Sequence, residues 1–241
     1  EAWLRQFDED ELAGIAPNLA GSIAREQPMI AARWYRRCPP GRRSSSTLST
    51  IVQEWGKTDP AQAFAWLGTL EGRSTRYAYA SLATQWAKKD PRAALAAMES
   101  IADERARGQA RVAAFREFGK VDPMAALTQA NEIKREIDRG NIRRPIILDW
   151  RVRDREAATE WILGSAPGPA REECLLALIG SIWSRYPEQA VILVAELAGP
   201  EVRGRQYDLI CRHWLQLAPL AARQWIASAP LPEAVKAQLV K

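Results

Sequence analysis

The sequence predicts an all-α fold, a right-handed α/α superhelix (solenoid) of about seven helical hairpins of 31–32 residues each, without a β-sheet. Three observations lead to this prediction. Asp-Pro recurs at Asp59, Asp90 and Asp122, an aromatic residue precedes each Asp by four positions, and an Ala follows each Asp by four. A hairpin of this size cannot bury its apolar face alone, whereas stacked hairpins can.

Each hairpin is predicted to begin with a short helix A, because Asp is a good N-cap and Pro suits the first helical position. Helix A is predicted over Pro60 to Leu70 and over Pro91 to Ala102, and a turn that contains Gly or Pro follows it. Helix B then runs to the next Asp, where the following Pro pushes the chain out of the helical region.

Two residue columns carry the repeat along the chain. A small column falls in helix A, at Ala31, Ala63, Ala94, Ala126, Ala158, Ala190 and Ala222. An aromatic column falls near the end of helix B, at Trp55, Trp86, Phe118, Trp150, Trp183 and Trp214. We expect the small column to allow a close approach of the two backbones. The aromatic column shares a helix face with apolar residues three and four positions earlier, so it is predicted to lie in the core.

A second set of tryptophans lies three residues after the small column, and it is predicted to lie mostly in the core with some members exposed. Its members are Trp34, Trp66, Trp161 and Trp225.

We expect one domain over residues 1–241, with an N-terminal cap at 1–27, repeats at 28–229 and a C-terminal cap helix at 230–241. The N-terminal cap is predicted to hold a helix at about 9–25 that Pro17 kinks or splits.

The fourth hairpin departs from the pattern. Pro145 falls inside its helix B, and Arg155 replaces the Pro that usually follows Asp. A shortened or kinked helix is therefore predicted there, as a hinge, a ligand notch or a tolerated irregularity.

Composition excludes several classes of protein. With 47% hydrophobic and 26% charged residues the chain is too apolar to be disordered, and no apolar run is long enough to span a membrane. Cys38, Cys174 and Cys211 show no CxxC spacing and are interpreted as free, buried thiols. The start at Glu1 leaves open both a cytoplasmic protein and one exported after removal of a leader.

No arrangement of residues indicates catalysis, a metal site or a cofactor. His213 is the only histidine, so no His-based metal site or proton relay is expected. Glu54, Glu117 and Asp149 share one column, which is interpreted as a solvated polar edge rather than as a carboxylate pair for hydrolysis. We therefore predict a protein that is not an enzyme and binds no small-molecule cofactor.

Arginine is the most informative polar residue. The net charge of +5 lies entirely between Arg33 and Arg43, where five Arg occur without an acid. Arg also recurs near the start of helix B, where it opposes the helix macrodipole. Either these residues form an anion-binding stripe, or each one pairs with a carboxylate or carbonyl of a neighbouring turn. The candidate binding residues are Arg33, Trp34, Arg36, Arg37, Arg42, Arg43, Arg73, Arg76, Arg107, Arg139, Arg143 and Arg144.

The segment from Asp59 to Trp66 resembles the start of a tetratricopeptide repeat, although the period is 32 residues rather than about 34. From about Pro28 to Ala229 the chain is more similar to bacterial helical-hairpin repeat proteins with Trp-x3-Asp-Pro-x2-Ala units. The resemblance implies a superhelical binding surface and no catalytic residue. The leading hypothesis is a non-enzymatic scaffold that binds a protein or peptide. The alternative is binding of a polyanion, either nucleic acid or an anionic glycan, through the Arg stripe.

Overall fold

A computed structural model describes residues 20–38, 43–72, 74–231 and 233–239 of the chain. Within these ranges the chain is mostly helical and has no strand, which confirms the predicted all-α class. After a short helical turn at 20–23 the helices are α1 (Pro28–Arg37), α2 (Ser45–Thr58), α3 (Pro60–Leu67), α4 (Ser74–Ala87), α5 (Pro91–Met98), α6 (Glu104–Val121), α7 (Pro123–Ala130), α8 (Glu136–Arg153), α9 (Arg155–Gly164), α10 (Pro169–Ile182), α11 (Pro187–Ala195), α12 (Pro200–Leu217), α13 (Pro219–Ser228) and α14 (Glu233–Leu239).

The chain divides into two compact units, Glu1–Asp122 and Pro123–Lys241. In the first unit each helix from α1 to α6 packs against the next, and α2, α4 and α6 also pack in sequence on one another. In the second unit each helix from α7 to α14 packs against the next, while α8 also packs on α10 and α12 on α14. Helices α1, α3, α5, α7, α9, α11 and α13 correspond to helix A, and the even-numbered helices from α2 to α12 correspond to helix B.

A single residue joins helix B to the next helix A at Asp59, Asp122, Asp154 and Ala218, whereas residues 88–90 join α4 to α5 and residues 183–186 join α10 to α11. Asp59, Asp90 and Asp154 each accept a hydrogen bond at Oδ1 from the amide three residues later, at 2.9–3.0 Å. Each of them also donates its own N–H to the carbonyl of the aromatic residue four positions earlier, at 2.8–2.9 Å. The same residue therefore closes the last turn of one helix and caps the first turn of the next.

The small column is fully buried, as predicted, since none of its seven alanines has exposed surface. The aromatic column is buried at Trp55, Phe118, Trp150 and Trp214. The prediction of a buried side chain was wrong for Trp86 and Trp183, which are half-buried. Trp86 packs against Phe64, and Trp183 packs against His213; both neighbours are half-buried themselves and leave part of each indole open.

Three members of the second set of tryptophans pack onto the aromatic column of the preceding hairpin. The ring centroids lie 5.8 Å apart for Trp55 and Trp66, 6.2 Å for Trp150 and Trp161, and 6.1 Å for Trp214 and Trp225. The partner from helix A is half-buried in all three pairs, whereas Trp34 on α1 is buried. These pairs connect the last turn of helix B to the last turn of the following helix A.

Helix A ends earlier than the sequence predicts. Helix α3 ends at Leu67 rather than Leu70, and α5 ends at Met98 rather than Ala102. The chain leaves these helices through tighter turns, in which the Leu70 amide donates to the Leu67 carbonyl at 3.0 Å. Helix α14 lies within 230–241, the segment predicted to form the C-terminal cap helix. Most of the predicted cap helix at 9–25, including Pro17, lies outside the described residues.

Helix α8 runs through Pro145 for 18 residues, the same length as α6 and α12, so the first alternative, a shortened helix, was wrong, and a kink at Pro145 stays a prediction. Pro145 removes one backbone donor from the helix. The buried side chains of Ile142, Ile146 and Ile147 surround this position in the sequence and hold the helix against its neighbours.

The three cysteines are free and buried, as predicted. Among the described helices, none is both long and apolar enough to cross a membrane.

We expect Trp214→Ala to lower the free energy of unfolding by about 3–5 kcal/mol, because a buried indole is replaced by a cavity. Trp214 is buried and packs on Trp225. Leu220→Ala is the control, since Leu220 is 77% exposed, and it should change the same quantity by less than about 0.5 kcal/mol. Urea unfolding followed by circular dichroism measures both, and equal losses would contradict the placement of Trp214 in the core.

Candidate functional site

The recurrent Arg near the start of helix B binds the turn that precedes it. In three hairpins its Nη1 donates to the carbonyl six residues earlier, with a distance of 2.8 Å from Arg107 to Ile101, 2.7 Å from Arg139 to Ile133 and 3.0 Å from Arg203 to Leu197. These carbonyls lie just beyond the C-terminal end of helix A, where the macrodipole is negative. The guanidinium thus stabilises the end of helix A, which offsets its unfavourable position at the start of helix B.

Other arginines of this column bridge to another turn or stabilise the preceding one in a different way. Arg76 donates to Asp103 at 3.1 Å, and Arg171 reaches the Glu196 carboxylate at 2.7 Å. Arg43 donates to the carbonyls of Arg36 and Cys38, at 2.9 Å in both cases. In these contacts the arginines pair with carboxylates or carbonyls of neighbouring turns, which is the alternative to an anion-binding stripe.

The candidate residues of the first turn lie mostly on the exposed side of α1. Arg33, Arg36 and Arg37 are exposed, whereas Trp34 is buried and has the Arg37 guanidinium 5.0 Å from its ring centre. Arg36 also donates to Thr69 Oγ1. Two further candidates, Arg42 and Arg73, lie outside the described residues.

Arg143 differs from the other candidates because its side chain is only 5% exposed. Its Nη1 lies 3.3 Å from Glu173 Oε2, and its Nη2 donates to Asn131 Oδ1. The corresponding Arg111 forms a bidentate pair with Glu99, with both distances at 2.7 Å. Asn131 takes the place of Glu99, since each stands twelve residues before its arginine. Because Asn carries no charge, Glu173 supplies the counter-charge that buried Arg143 requires.

The Glu173 carboxylate reaches Arg143 across the backbone of Gly140. A Cβ atom at position 140 would overlap this carboxylate, so any other residue there would displace the carboxylate from its present position. Burial raises the pKa of the neighbouring Cys174 thiol to about 12. At neutral pH that thiol adds no charge beside the pair.

A groove of about 890 Å³ opens beside this ion pair, between α8 and α10, and we call it the α8–α10 groove. It lies between the fourth hairpin, whose sequence predicts an irregularity or a ligand notch, and the hairpin that follows it. Helix α8 lines it with Gly140, Asn141 and Arg144. Helix α10 lines it with Pro169, Glu172, Glu173, Leu176 and Ala177.

The two walls of the groove differ in which polar groups remain available. On the α10 wall, Glu173 is paired with Arg143, and Glu172 accepts the Ala198 amide at 2.9 Å. On the α8 wall, Arg144 is exposed and makes no hydrogen bond or ion pair within the described part of the chain. The Asn141 carbonyl lacks its usual helical donor four residues later, because Pro145 has no N–H.

The sequence predicts binding residues on the α8 wall of this groove only. Arg143 and Arg144 were candidate residues, but Gly140, Glu172 and Glu173 were not. The neutral Asn131, twelve residues before an arginine and in the place of an acid, is the feature that distinguishes this hairpin.

No protein-family model, curated protein or solved structure matches the chain. Within the described ranges, no three His, Cys, Asp or Glu side chains are grouped so that they could hold a metal ion.

We expect Arg107→Ala to lower the free energy of unfolding by about 1–2 kcal/mol, because the carbonyl beyond α5 loses a charged donor. Arg105→Ala is the matched control on the same helix, since the Arg105 side chain is exposed. Urea unfolding of the two variants measures the difference. Equal midpoints for both would show that the contact with Ile101 does not stabilise the turn.

Proposed function

We propose that this protein is a non-enzymatic helical-repeat scaffold that binds a protein or peptide. One observation carries the proposal: the α8–α10 groove combines apolar side chains with an exposed arginine, Arg144, that has no partner among the described residues. Grooves between helices are common ligand sites, and most of them are apolar with a few well-placed polar groups. The carboxylates of Glu172 and Glu173 are already engaged, which favours a role in binding over acid–base chemistry.

The proposal includes a solenoid arrangement and kinship with the bacterial helical-hairpin repeat proteins that the sequence resembles. Two observations support it. The joint between helices B and A has a similar backbone conformation wherever an Asp forms it, and the same alanine column is buried in every hairpin. Units with one repeated geometry stack into a superhelix with an extended surface for partners.

A selection from a random peptide library displayed on phage tests the proposal. The folded chain should enrich families of related peptides, and the synthetic peptides should bind it in fluorescence anisotropy with dissociation constants of about 100 µM or tighter. The chain unfolded in urea and then immobilised is the control. Enrichment that is equal on folded and unfolded chain, or absent from both, would contradict the proposal.

A second candidate is binding of a polyanion, because Arg33, Arg36 and Arg37 are exposed together on α1. This candidate predicts that heparin binds at low salt and that binding weakens steeply as salt rises, since association releases counterions. Replacement of the three arginines by Ala should then abolish binding. A triple variant at Arg105, Arg205 and Arg223, which are also exposed, is the control of equal charge. Equal heparin affinity of the two triple variants would exclude a specific role for α1.

A further inference from the structure

We infer that the α8–α10 groove takes an extended peptide that presents one acidic side chain to Arg144 and an apolar side chain to Leu176. The inference rests on the proposed function, because it names the class of peptide that the scaffold would bind. It is carried by the charges, the main-chain acceptor and the apolar surface of the groove.

The charges of the groove select an anionic group on the α8 wall. Four charged side chains lie in or under the groove: Arg143, Arg144, Glu172 and Glu173. Arg143 and Glu173 neutralise each other, and Glu172 is held by the Ala198 amide. Arg144 is the one member of this set without a partner among the described residues. A carboxylate beside it would gain a charge-assisted contact with planar geometry.

The same wall offers an acceptor to a peptide main chain. The Asn141 carbonyl has no donor at the fourth residue, since that residue is Pro145. Asn141 and Arg144 are three positions apart, so they are neighbours on one face of α8. An extended peptide could therefore donate an N–H to Asn141 while its side chain reaches Arg144. A small anion has no N–H to offer there, which favours a peptide.

The α10 wall limits how acidic that peptide is. Leu176 is half-buried and Ala177 is buried, so they offer apolar surface to a side chain of the peptide. Glu172 stands on the same wall, keeps its negative charge because its partner is a neutral amide, and would repel a second anion placed near it. The groove thus fits one acid next to an apolar residue, and it disfavours a polyanion.

The test uses the full chain and the peptides enriched in the phage selection. Arg144→Glu reverses the charge, Arg144→Lys keeps it, and Arg205→Glu is the matched control on an exposed arginine of the same unit. For each peptide, a second version carries Lys in place of its acid. Fluorescence anisotropy gives the affinity of each protein variant for each version of each peptide. Thermal melting followed by circular dichroism checks that the variants fold equally well.

We expect the enriched peptides to share one Asp or Glu within two residues of a large apolar residue. Arg144→Glu should lower the affinity for these peptides about tenfold, and Arg144→Lys and Arg205→Glu should lower it much less. The Lys version of a peptide should bind Arg144→Glu better than it binds the unchanged chain. Peptides without a shared acid, or with equal losses in Arg144→Glu and Arg205→Glu, would overturn the inference while the proposed function stands. A selection that enriches no peptide would overturn the proposed function itself.

Discussion

The direction of helix A depends on the residue that precedes it, and at Asp59, Asp122, Asp154 and Ala218 this residue is the whole joint between helix B and helix A. At Asp59, Asp90 and Asp154 this residue has φ of −136° to −153° and ψ of 85° to 92°. A joint of one residue has no slack, so these two angles set how helix A leaves helix B. The buried alanine four residues later allows the two backbones to approach closely at this angle. A larger side chain there would force the helices apart and strain the joint.

The joint is kept even where one of its two characteristic residues is missing. Ala218 has no side-chain acceptor, yet its φ of −146° and ψ of 74° are close to those of the Asp residues, because the following Pro restricts it. Asp154 precedes Arg155 instead of Pro and keeps the conformation through its hydrogen bond to the Ala157 amide. Arg155 in turn lies 4.5 Å from the ring centre of Tyr186, which takes the place of Asp at the next joint. The Pro at Ala218 and the side-chain cap at Asp154 are thus each sufficient for this backbone conformation.

The sequence was sufficient for features that depend on local spacing. The caps, the buried alanines and the order of helices follow from contacts within about a dozen residues, so a period of 31–32 residues reveals them. The burial of Trp86 and Trp183 could not be predicted, since it depends on whether a neighbouring side chain covers the indole. The groove depends on contacts between residues about thirty positions apart, such as Arg143 with Glu173. No spacing rule within one hairpin contains that information.

Arginine takes different roles here, and the difference lies in its partner rather than in its position. A carbonyl partner, as for Arg107 and Arg139, satisfies donors but leaves the positive charge in place. A carboxylate partner, as for Arg111, removes both the free donors and the charge. Asn131 provides no carboxylate, so the Glu173 carboxylate lies over Gly140 and pairs with Arg143. It is therefore not available to neutralise another cation. Asn131 in the place of an acid thus accounts for the pairing of Glu173 with Arg143, and Arg144 keeps its charge at the surface of the groove.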